Sequence, residues 1–577
     1  VWAKGGGTFP SAPHSSSGTR MNRRDLPAGL SGRHMPNLWD VAAILAVTVL
    51  LVAIAQAGRG TLVPLEQLDQ PAISLDPWRL PEFALRTTLR MFAALACSLL
   101  FTFTYAPLAA KSRRAGLIMI PVLDVLQSVP ILGFLTFTTA FFMGLFPGRV
   151  MGLELAAIFA IFTSQAWNMA FSFYQSLTTV PADLDEATRG FRLTGWQRFW
   201  RLEVPFAMPG LVWNTMLSMS AGWFFVVASE AITLGETSWK LPGIGAYVAL
   251  ALEKRDIGAV FWAIGAMLAV ILAYDQLLFR PLVAWSTKFR FETTASAQTD
   301  DPWMLALLRR THLLRQGGDG IGRVFNWITG LRLGRPFSPP APEAGRSWFG
   351  DALFAVLVAG VLGWALWQIW GYVTAALGWA DLLDTVLLGA ITLLRVVVLM
   401  ALAALIWVPI GVWLGLRPAW AQRVQPVAQF LAAFPANLLF PPFVVVIVAF
   451  RLDVDIWLTP LMVLGTQWYI LFNVIAGASA FPGDLREAAQ LFRVGGWLWW
   501  RKVILPGVVP YFVTGAITAS GGSWNASIVA EVAAWGDTKL AAHGLGAYIA
   551  QATDAGNFPR VVLGVVVMSL YVLAMNR

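Results

Sequence analysis

The sequence of 577 residues has one cysteine, four histidines and only 13% charged residues. The single cysteine, Cys97, cannot form an intramolecular disulfide or a thiolate metal site, and it lies within an apolar run. The histidines, His14, His34, His312 and His543, are scattered across loops and do not form a metal-binding set. We therefore expect neither redox chemistry, nor a metal centre, nor a cofactor held by this chain.

The phosphate-binding loop of many nucleotide hydrolases, G-x-x-x-x-G-K-[ST], is also missing from the sequence. The chain is therefore not expected to be an enzyme that hydrolyses ATP by itself. A net charge of +9 could point to nucleic acid, but the basic residues cluster in short loops between apolar runs, as the positive-inside rule predicts for cytoplasmic loops. We expect no nucleic-acid partner.

Apolar residues dominate instead, since 57% of the chain is hydrophobic and the mean hydropathy is +0.64. Runs of roughly 20 residues, long enough to cross about 30 Å of hydrocarbon, recur along the whole chain. They predict an all-α polytopic membrane protein with about twelve transmembrane helices. The predicted spans are 37–57, 84–108, 116–146, 152–178, 207–232, 258–284, 348–376, 383–416, 425–450, 455–477, 508–533 and 559–576.

The two halves of the chain are a tandem duplication. Glu186 and Glu487 lie 301 residues apart, and Arg90 and Arg395 lie 305 residues apart, each within matching stretches. Because each half has six predicted spans, both halves have the same orientation and form two parallel six-helix repeats. By the 301-residue offset the last helix is shorter than its counterpart, so we expect the natural protein to continue beyond Arg577 with an apolar turn and a basic cytoplasmic tail.

Composition and charge also suggest the domain boundaries. Loops rich in Lys and Arg fall on the cytoplasmic face if the N-terminus lies inside. We predict a disordered or cytoplasmic N-terminal segment at 1–34, a first transmembrane domain at 35–287, a cytoplasmic linker with one short helix at 288–346 and a second transmembrane domain at 347–577.

Two charged loops repeat one pattern between apolar spans. The first charged loop, residues 183–205, reads DLDEATRGFRLTGWQRFWRLEVP, and the second charged loop, residues 484–506, reads DLREAAQLFRVGGWLWWRKVILP. Both contain Glu-Ala, Phe-Arg, Gly-Trp and a closing proline at matching positions. This pattern resembles the EAA loop of type I ABC importer permeases, the binding-protein-dependent inner-membrane components of transport systems.

The resemblance implies that each charged loop docks into a groove on an ATPase subunit. In that family the loop forms two short helices around a glycine turn. Here the usual glycine is Arg192 or Arg493, and Gly195 and Gly496 follow three residues later, so we expect a shifted turn. Phe, Trp and charged side chains on an amphipathic helix suit an apolar groove with fixed register. The residues predicted to couple to the ATPase are Glu186, Ala187, Phe191, Arg192, Gly195, Trp196, Pro205, Glu487, Ala488, Phe492, Arg493, Gly496, Trp497 and Pro506.

Longer stretches resemble one subfamily, the permeases for nitrate, sulfonate, taurine and bicarbonate. The similar stretches are TLRMFAALACSLLFTF from Thr88, LQSVPILGFLTF from Leu126 and SAGWFFVVASEAITLG from Ser220, with counterparts from Thr392, Leu431 and Ser520. The chain is thus similar to two such permeases fused into one. The resemblance implies a multi-pass protein of the bacterial inner membrane that imports a small anion, such as nitrate, bicarbonate, a sulfonate, taurine or a similar organic acid, by alternating access.

The resemblance also implies partners. These are two ABC ATPase subunits that bind ATP and Mg, a periplasmic substrate-binding protein, and membrane lipid. An ion-coupled secondary transporter without an ATPase is the alternative, and the paired charged loops count against it. A membrane-embedded enzyme or a lipid-handling scaffold would need a catalytic constellation at the interface, and we find no such pattern in the sequence.

Polar residues within the apolar runs either line a translocation path or form hydrogen bonds between helices. The candidates for the path are Gln165, Asn168, Ser218, Ser220, Trp223, Gln467, Asn473, Thr518, Ser520, Ser523, Trp524 and Asn525. Both interpretations stay open at this point.

Four charged residues lie deep within the predicted spans. At about 1.5 Å per residue, Arg90 and Glu230 both lie roughly 31 Å from the cytoplasmic side, and Arg395 and Glu531 repeat the arrangement. An isolated charge at such depth is unfavourable, so we expect Arg90 to pair with Glu230 and Arg395 with Glu531. Such pairs either clamp two helices together or belong to an outer gate that attracts an anion.

Overall fold

The computed structural model describes residues 73–234, 237–289, 311–333, 348–479, 481, 483–535 and 538–576, with Leu45, Thr48, Pro64 and Met304 as isolated positions. Within these residues, eight helices are long and apolar enough to cross a membrane, or eleven if each of three bent pairs counts as one span. The predicted polytopic, helical architecture is confirmed. The first predicted span, 37–57, lies outside the described residues except for Leu45 and Thr48.

The helices of the first half follow the apolar runs of the sequence. They are Leu80–Lys111, Arg113–Ser128, Ile131–Leu145, Val150–Thr178, Ala182–Gly190, Gly195–Arg198, Val204–Ser229, Ile244–Glu253, Ile257–Tyr274 and Arg280–Ser286. Short 3-10 or π-helical turns at Pro77–Arg79, Phe199–Glu203, Asp275–Phe279 and Thr287–Phe289 extend or join them. One further helix, His312–Gly330, lies within the predicted linker, and we call it the linker helix.

The second half repeats this order. Its helices are Trp348–Thr374, Trp379–Gly415, Pro418–Ala433, Phe440–Ala449, Val454–Trp457, Gln467–Ser479, Gly483–Leu491, Gly496–Trp499, Leu505–Ala530, Leu545–Asp554 and Phe558–Asn576. The turns Ala436–Leu439, Thr459–Met462 and Trp500–Ile504 connect or extend them. The fifth spanning helix of each half, Val204–Ser229 or Leu505–Ala530, has a charged loop at its start.

Three spans that the sequence predicts as single helices are bent. The predicted span 116–146 bends by 103°, its counterpart 425–450 by 80°, and 455–477 by 42°. Pro130 and Pro435 stand at the first two breaks. Proline lacks the N–H that continues a helix, and it disfavours the helical conformation of the residue before it, so both breaks follow from the local sequence.

Two short antiparallel hairpins interrupt the helical architecture, and the sequence patterns do not predict them. Their paired strands are Ala231–Leu234 with Thr237–Lys240 and Val532–Trp535 with Thr538–Ala541. Leu241 N–H donates to Glu230 O, and Ala542 N–H donates to Glu531 O, each at 2.8 Å. The hairpins therefore return the chain to the glutamate that ends each fifth spanning helix.

The two halves pack against each other through reciprocal contacts. Asn525 Oδ1 accepts the backbone N–H of Ile131 at 2.6 Å, and Asn437 Nδ2 donates to Phe224 O at 3.2 Å. By the repeat offsets, Asn525 corresponds to Phe224, and Ile131 corresponds to the residue just before Asn437. A buried apolar cluster draws on both halves at this interface. The interface is therefore built twice, as expected for related halves that face each other.

Candidate functional site

Each charged loop folds into two short helices that continue into a spanning helix. The successive helices are Ala182–Gly190, Gly195–Arg198 and Val204–Ser229 in the first half, and Gly483–Leu491, Gly496–Trp499 and Leu505–Ala530 in the second. A π-helical turn, Phe199–Glu203 or Trp500–Ile504, joins the last two without a break. Because the backbone is helical throughout this junction, a displacement of the loop would be passed directly to the spanning helix.

The turn between the two short helices has an arginine in the left-handed conformation. The φ angle is 49° at Arg192 and 50° at Arg493, six residues after the glutamates. The expected shift of this turn towards Gly195 is wrong, because Gly195 begins the second short helix. Gly496 also begins a short helix, but its φ of 57° is left-handed, so the second loop has two left-handed residues. A residue with a side chain is less stable in the left-handed than in the right-handed conformation by roughly 1–2 kcal/mol. Each loop therefore has a strained arginine at a position where glycine would not be strained.

The first short helix of each charged loop presents its predicted coupling residues to solvent. Glu186 and Glu487 are exposed, and the rings of Phe191 and Phe492 are 79% and 82% exposed. Large exposed aromatic rings beside charges are typical of interaction surfaces. The other predicted coupling residues differ in exposure, since Ala187 is exposed whereas Ala488 and Trp196 are half-buried. Pro205 and Pro506 occupy the second positions of the spanning helices Val204–Ser229 and Leu505–Ala530.

A buried charge cluster lies at the opposite end of the spanning helix Val204–Ser229. Arg90 Nη1 lies 2.7 Å from Glu230 Oε1, and Arg90 Nε and Nη2 lie 2.6 and 2.7 Å from the two oxygens of Glu154. Arg90 Nη1 also donates to Pro242 O at 3.0 Å. Arg90 is 5% exposed and Glu230 is fully buried. One guanidinium therefore pairs with two carboxylates, of which Glu230 is fully buried and Glu154 nearly so.

The second half contains the equivalent cluster in a more open form. Arg395 Nη1 lies 3.2 Å from Glu531 Oε1, and Arg395 Nη2 lies 2.8 Å from Asp455 Oδ1. The Asp455 side chain is 41% exposed. It also accepts the backbone N–H of His543 at 2.7 Å and lies 2.9 Å from the Nδ1 atom of that ring. This cluster is therefore in contact with solvent, unlike that of the first half.

Sequence reasoning missed one acid in each cluster. Glu154 and Asp455 are 301 residues apart, so they are counterparts in the repeat. Each is an acid within or at the start of an apolar run, which is the signal that could have identified it.

The Gly-Ile-Gly-Ala-Tyr stretch of the first half forms a cradle for the buried glutamate. Gly245 N–H donates to Glu230 Oε2 at 2.7 Å, and Thr87 Oγ1 donates to Glu230 Oε1 at 2.7 Å. Thr87 Oγ1 accepts the N–H of Ile244 at 3.0 Å. A Cβ atom on Gly243 would lie 2.2 Å from the carboxylate carbon of Glu230. Glycine is therefore required at this position for steric reasons.

The second half repeats the cradle. Ala547 N–H and Thr392 Oγ1 donate to Glu531 at 3.0 and 2.9 Å, and Leu545 N–H donates to Thr392 Oγ1 at 2.9 Å. A Cβ atom on Gly544 would lie 2.3 Å from Glu531 Oε2. In both halves a helix begins at the cradle, so its positive N-terminal end faces the carboxylate.

The tyrosine of the first cradle connects it to the segment before the helix Leu80–Lys111. The Tyr247 hydroxyl donates to Leu75 O at 2.9 Å. Burial raises the pKa of Tyr247 above its usual value, and the carboxylates of Asp256 and Asp76 add to the rise. The hydroxyl therefore stays protonated and remains a donor at neutral pH.

A cavity of about 70 Å³ lies between the two halves. Its lining includes the aromatic residues Phe224, Phe434 and Tyr469 and the hydroxyl-bearing residues Ser220 and Thr466. Its described lining includes no charged side chain. The described parts of the chain also contain no group of three or more His, Cys, Asp or Glu residues that could hold a metal ion. Of the twelve predicted path residues, Ser220 lines this cavity.

The other predicted path residues make contacts within or between helices. Asn168 Nδ2 donates to Ser218 Oγ at 3.0 Å, and Ser523 Oγ lies 2.8 Å from the Oγ1 atom of Thr466 in the cavity lining. Gln467 accepts a hydrogen bond from Trp407 Nε1 at 2.9 Å, and Asn525 joins the two halves. Asn473 and Thr518 donate to carbonyls of their own helices. The remaining members of the set, which are all buried, are Gln165, Trp223, Ser520 and Trp524. Contact of these residues with a solute stays a prediction.

Comparison with known proteins identifies relatives that match about a third of the chain. A nitrate import permease protein of Leptolyngbya laminosa is 28% identical over 187 residues, which cover 32% of this chain and 63% of that protein. A bicarbonate transport system permease protein of Synechococcus elongatus is 28% identical over 186 residues, or 32% of this chain and 64% of that protein. A glycine betaine/carnitine transport permease protein of Listeria monocytogenes is 30% identical over 212 residues, which cover 35% of this chain and 66% of that protein. This chain spans less than two thirds of the length of each relative.

The family described as binding-protein-dependent transport system inner membrane component matches the chain twice, at residues 100–280 and 407–577. Together the matches cover more than half of the chain and confirm the duplication that the repeated charged loops predict. The family also confirms the predicted location, a multi-pass protein of the inner membrane. The chain therefore belongs to the binding-protein-dependent transport system inner membrane components, with two copies of that domain fused in one polypeptide.

Proposed function

We propose that this chain is the membrane subunit of an ATP-binding-cassette importer and supplies both halves of its translocation path. The observation that carries the proposal is the pair of charged loops, which have the same order of helices, a left-handed arginine at equivalent positions, and equivalent spanning helices after them. Two separate ATPase subunits would bind ATP and Mg and dock one on each loop. The chain itself is a transport component and not an enzyme.

The spanning helices connect the loops to the cavity. Val204–Ser229 begins at the first charged loop and contributes Ser220, Phe224 and other residues to the cavity lining. Its 26 residues extend about 39 Å, so it reaches from the loop to the charge cluster at its far end. Movement of an ATPase subunit would thus displace a helix that lines the cavity.

The charge clusters serve as clamps in this mechanism. Arg90 pairs with Glu154 and Glu230, and these three residues come from three different parts of the first half. The cluster around Arg395 joins three parts of the second half in the same way. Each half then moves as one body about the interface that Asn525 and Ile131 share. Alternating access would follow from the rocking of two such bodies around the cavity.

We propose that the solute is a small anion, such as nitrate, bicarbonate, a sulfonate, taurine or a similar organic acid. Two of the relatives are permease proteins of nitrate and bicarbonate transport, and these support an anion. The described cavity lining carries no charged side chain. We therefore assign the selection of an anion by its charge to a periplasmic substrate-binding protein. The translocation path itself would contact the anion through hydroxyl groups and aromatic rings.

Uptake into proteoliposomes tests this function. The chain is reconstituted with its ATPase subunits and binding protein, and entry of labelled nitrate, bicarbonate and taurine is measured with ionophores present to collapse ion gradients. We expect uptake of one of these anions that requires ATP and the binding protein. Uptake that is driven by a proton or sodium gradient in vesicles without ATPase would overturn the proposal in favour of an ion-coupled secondary transporter.

A further inference from the structure

The linker helix His312–Gly330 docks on the first charged loop through two hydrogen bonds. Trp196 Nε1 donates to Ile328 O at 2.9 Å, and Gln197 Nε2 donates to Gly330 O at 2.9 Å. Both acceptors belong to the last turn of the linker helix, where carbonyls lack the usual donor four residues later. Side chains of the loop therefore cap the end of the linker helix.

Aromatic contacts extend this docking site. The rings of Trp200 and Phe325 meet edge to face, with centroids 5.4 Å apart. Leu333, just after the linker helix, lines a groove together with Phe103 and Phe199. The end of the linker thus packs on the junction between the charged loop and its spanning helix.

Ion pairs also hold the first charged loop in place. Lys111 Nζ lies 2.8 Å from Glu203 Oε2, and Arg198 Nη2 lies 2.8 Å from Asp185 Oδ1. Lys111 ends a neighbouring spanning helix, so the first pair ties the loop to that helix. The second pair joins the two short helices of the loop to each other.

The second charged loop has none of the side chains that make these contacts, apart from one tryptophan. By the 301-residue offset, Leu498 replaces Gln197, Arg501 replaces Trp200, Arg486 replaces Asp185, Trp499 replaces Arg198 and Ile504 replaces Glu203. Trp497, the counterpart of Trp196, is 74% exposed. The two loops therefore share an order of helices but differ in the side chains available to hold them in place.

We propose that the linker helix is an intramolecular docking element that makes the two ATPase sites of this chain non-equivalent. It adds contacts that hold the second short helix of the first charged loop in place before an ATPase subunit arrives. The second charged loop is also helical, but it lacks the side chains that make these additional contacts. A preordered surface binds with a smaller loss of conformational entropy. The ATPase on the first loop therefore binds more tightly than the ATPase on the second. The inference rests on the proposed role of both loops as ATPase-docking sites.

The contact itself can be tested without any ATPase. The double substitution Gln197→Leu and Trp200→Arg gives the first charged loop the residues of the second, and hydrogen exchange of the full chain is measured by mass spectrometry. We expect the amides of residues 195–203, and those at the end of the linker helix, residues 325–331, to exchange about tenfold faster, while residues 496–504 do not change. The variant loses the hydrogen bonds of Gln197 to Gly330 O and Thr194 N–H and the ring contacts of Trp200 with Phe325 and three neighbouring rings, so exchange at 325–331 separates the docking from contacts within the loop. The matched control is Leu498→Gln with Arg501→Trp, which should leave both segments unchanged. Unchanged exchange at 325–331 in the first variant would overturn the docking.

Titration of the full chain with purified ATPase subunits tests the consequence. We expect two binding steps of different affinity for the wild-type chain, and about tenfold weakening of the tighter step in the Gln197→Leu, Trp200→Arg variant. Two equal steps in the wild-type chain would overturn the proposed non-equivalence. Tighter binding by the variant would overturn the proposed stabilising role, because it would show that the linker helix shields the first loop from its ATPase. If neither chain binds ATPase while exchange at 325–331 still rises, the proposed function fails and the docking of the linker helix stands.

Discussion

Arg90 donates a 2.7 Å hydrogen bond to Glu230 in a site where both side chains are buried. The equivalent bond from Arg395 to Glu531 is 3.2 Å long, and its cluster includes an acid that is open to solvent. Water can therefore compensate a lost charge in the second half but not in the first. The two halves are expected to differ in how strongly their folding depends on the arginine.

Arg90→Met should destabilise the protein more than Arg395→Met. Removal of Arg90 leaves Glu154 and Glu230 unpaired in a buried site, and loss of one partner from a buried ion pair typically costs about 3–5 kcal/mol. The thermal unfolding midpoint of the purified protein in detergent measures the effect. An equal or larger drop for Arg395→Met would contradict the difference in burial on which this prediction depends.

Gly243→Ala should destabilise the first cradle, because the new methyl group would collide with the carboxylate of Glu230, which is held by hydrogen bonds from Arg90, Thr87 and Gly245. Gly265→Ala is the matched control, since nothing lies within 4 Å of a Cβ atom at that helical position. Alanine is a better helix former than glycine by about 1 kcal/mol, so the control should be neutral or stabilising. The thermal unfolding midpoints of the two variants in detergent test this prediction, and we expect the lower midpoint for Gly243→Ala. A Gly243→Ala protein as stable as the control would refute the steric argument.

The cradle around Glu230 shows which features of the site can be predicted from the sequence and which cannot. Helix rise alone places Arg90 and Glu230 at one level, because it depends only on counting residues along each helix. The choice of Glu154 as a second partner depends on the rotation of its helix, which apolar runs do not specify. The steric need for Gly243 depends in turn on how closely the segment approaches the Glu230 carboxylate.

Asn525→Leu should weaken the interface between the halves. It removes the acceptor for the buried N–H of Ile131, and an unsatisfied buried donor costs about 1–3 kcal/mol. Asn473→Leu is the control, because Asn473 bonds only to Tyr469 O of its own helix among the described contacts. We expect a lower unfolding midpoint for Asn525→Leu than for the control. The reverse order would contradict the role assigned to this contact.

Arg192→Gly should be tolerated, whereas Arg192→Ile should not. Glycine adopts the left-handed conformation without strain, and a β-branched residue is a stronger outlier there than arginine. The thermal unfolding midpoint of the purified protein in detergent measures the strain in this turn. We expect an equal or higher midpoint for the glycine variant and a lower midpoint for the isoleucine variant. Equal midpoints for both variants would contradict the strain assigned to this turn.

The same turn shows a limit of pattern reading. Glycine at Gly195 suggests a turn at that position, yet Gly195 starts a helix without a left-handed φ, and only its counterpart Gly496 has one. The turn stays at the arginines because backbone bonds close the preceding helix around them: Leu193 N–H donates to Thr188 O at 3.1 Å. Hydrogen bonds of the helix end, rather than residue preference, fix the position of the turn.

The central claim is that the two charged loops dock ATPase subunits, and co-purification of ATPase with the Glu186→Ala, Glu487→Ala double variant tests it most directly. Both glutamates are exposed and lie on the first short helix of each loop, so their removal should not affect the fold of the membrane domains. The matched control is Glu82→Ala with Glu253→Ala, two exposed acids far from the loops.

Truncation of interface anchors commonly costs about 2 kcal/mol or more each, so the double variant should lose its ATPase subunits while it keeps the unfolding midpoint of the wild-type protein. The control should retain them. Full co-purification of active ATPase with the Glu186→Ala, Glu487→Ala protein would contradict the account.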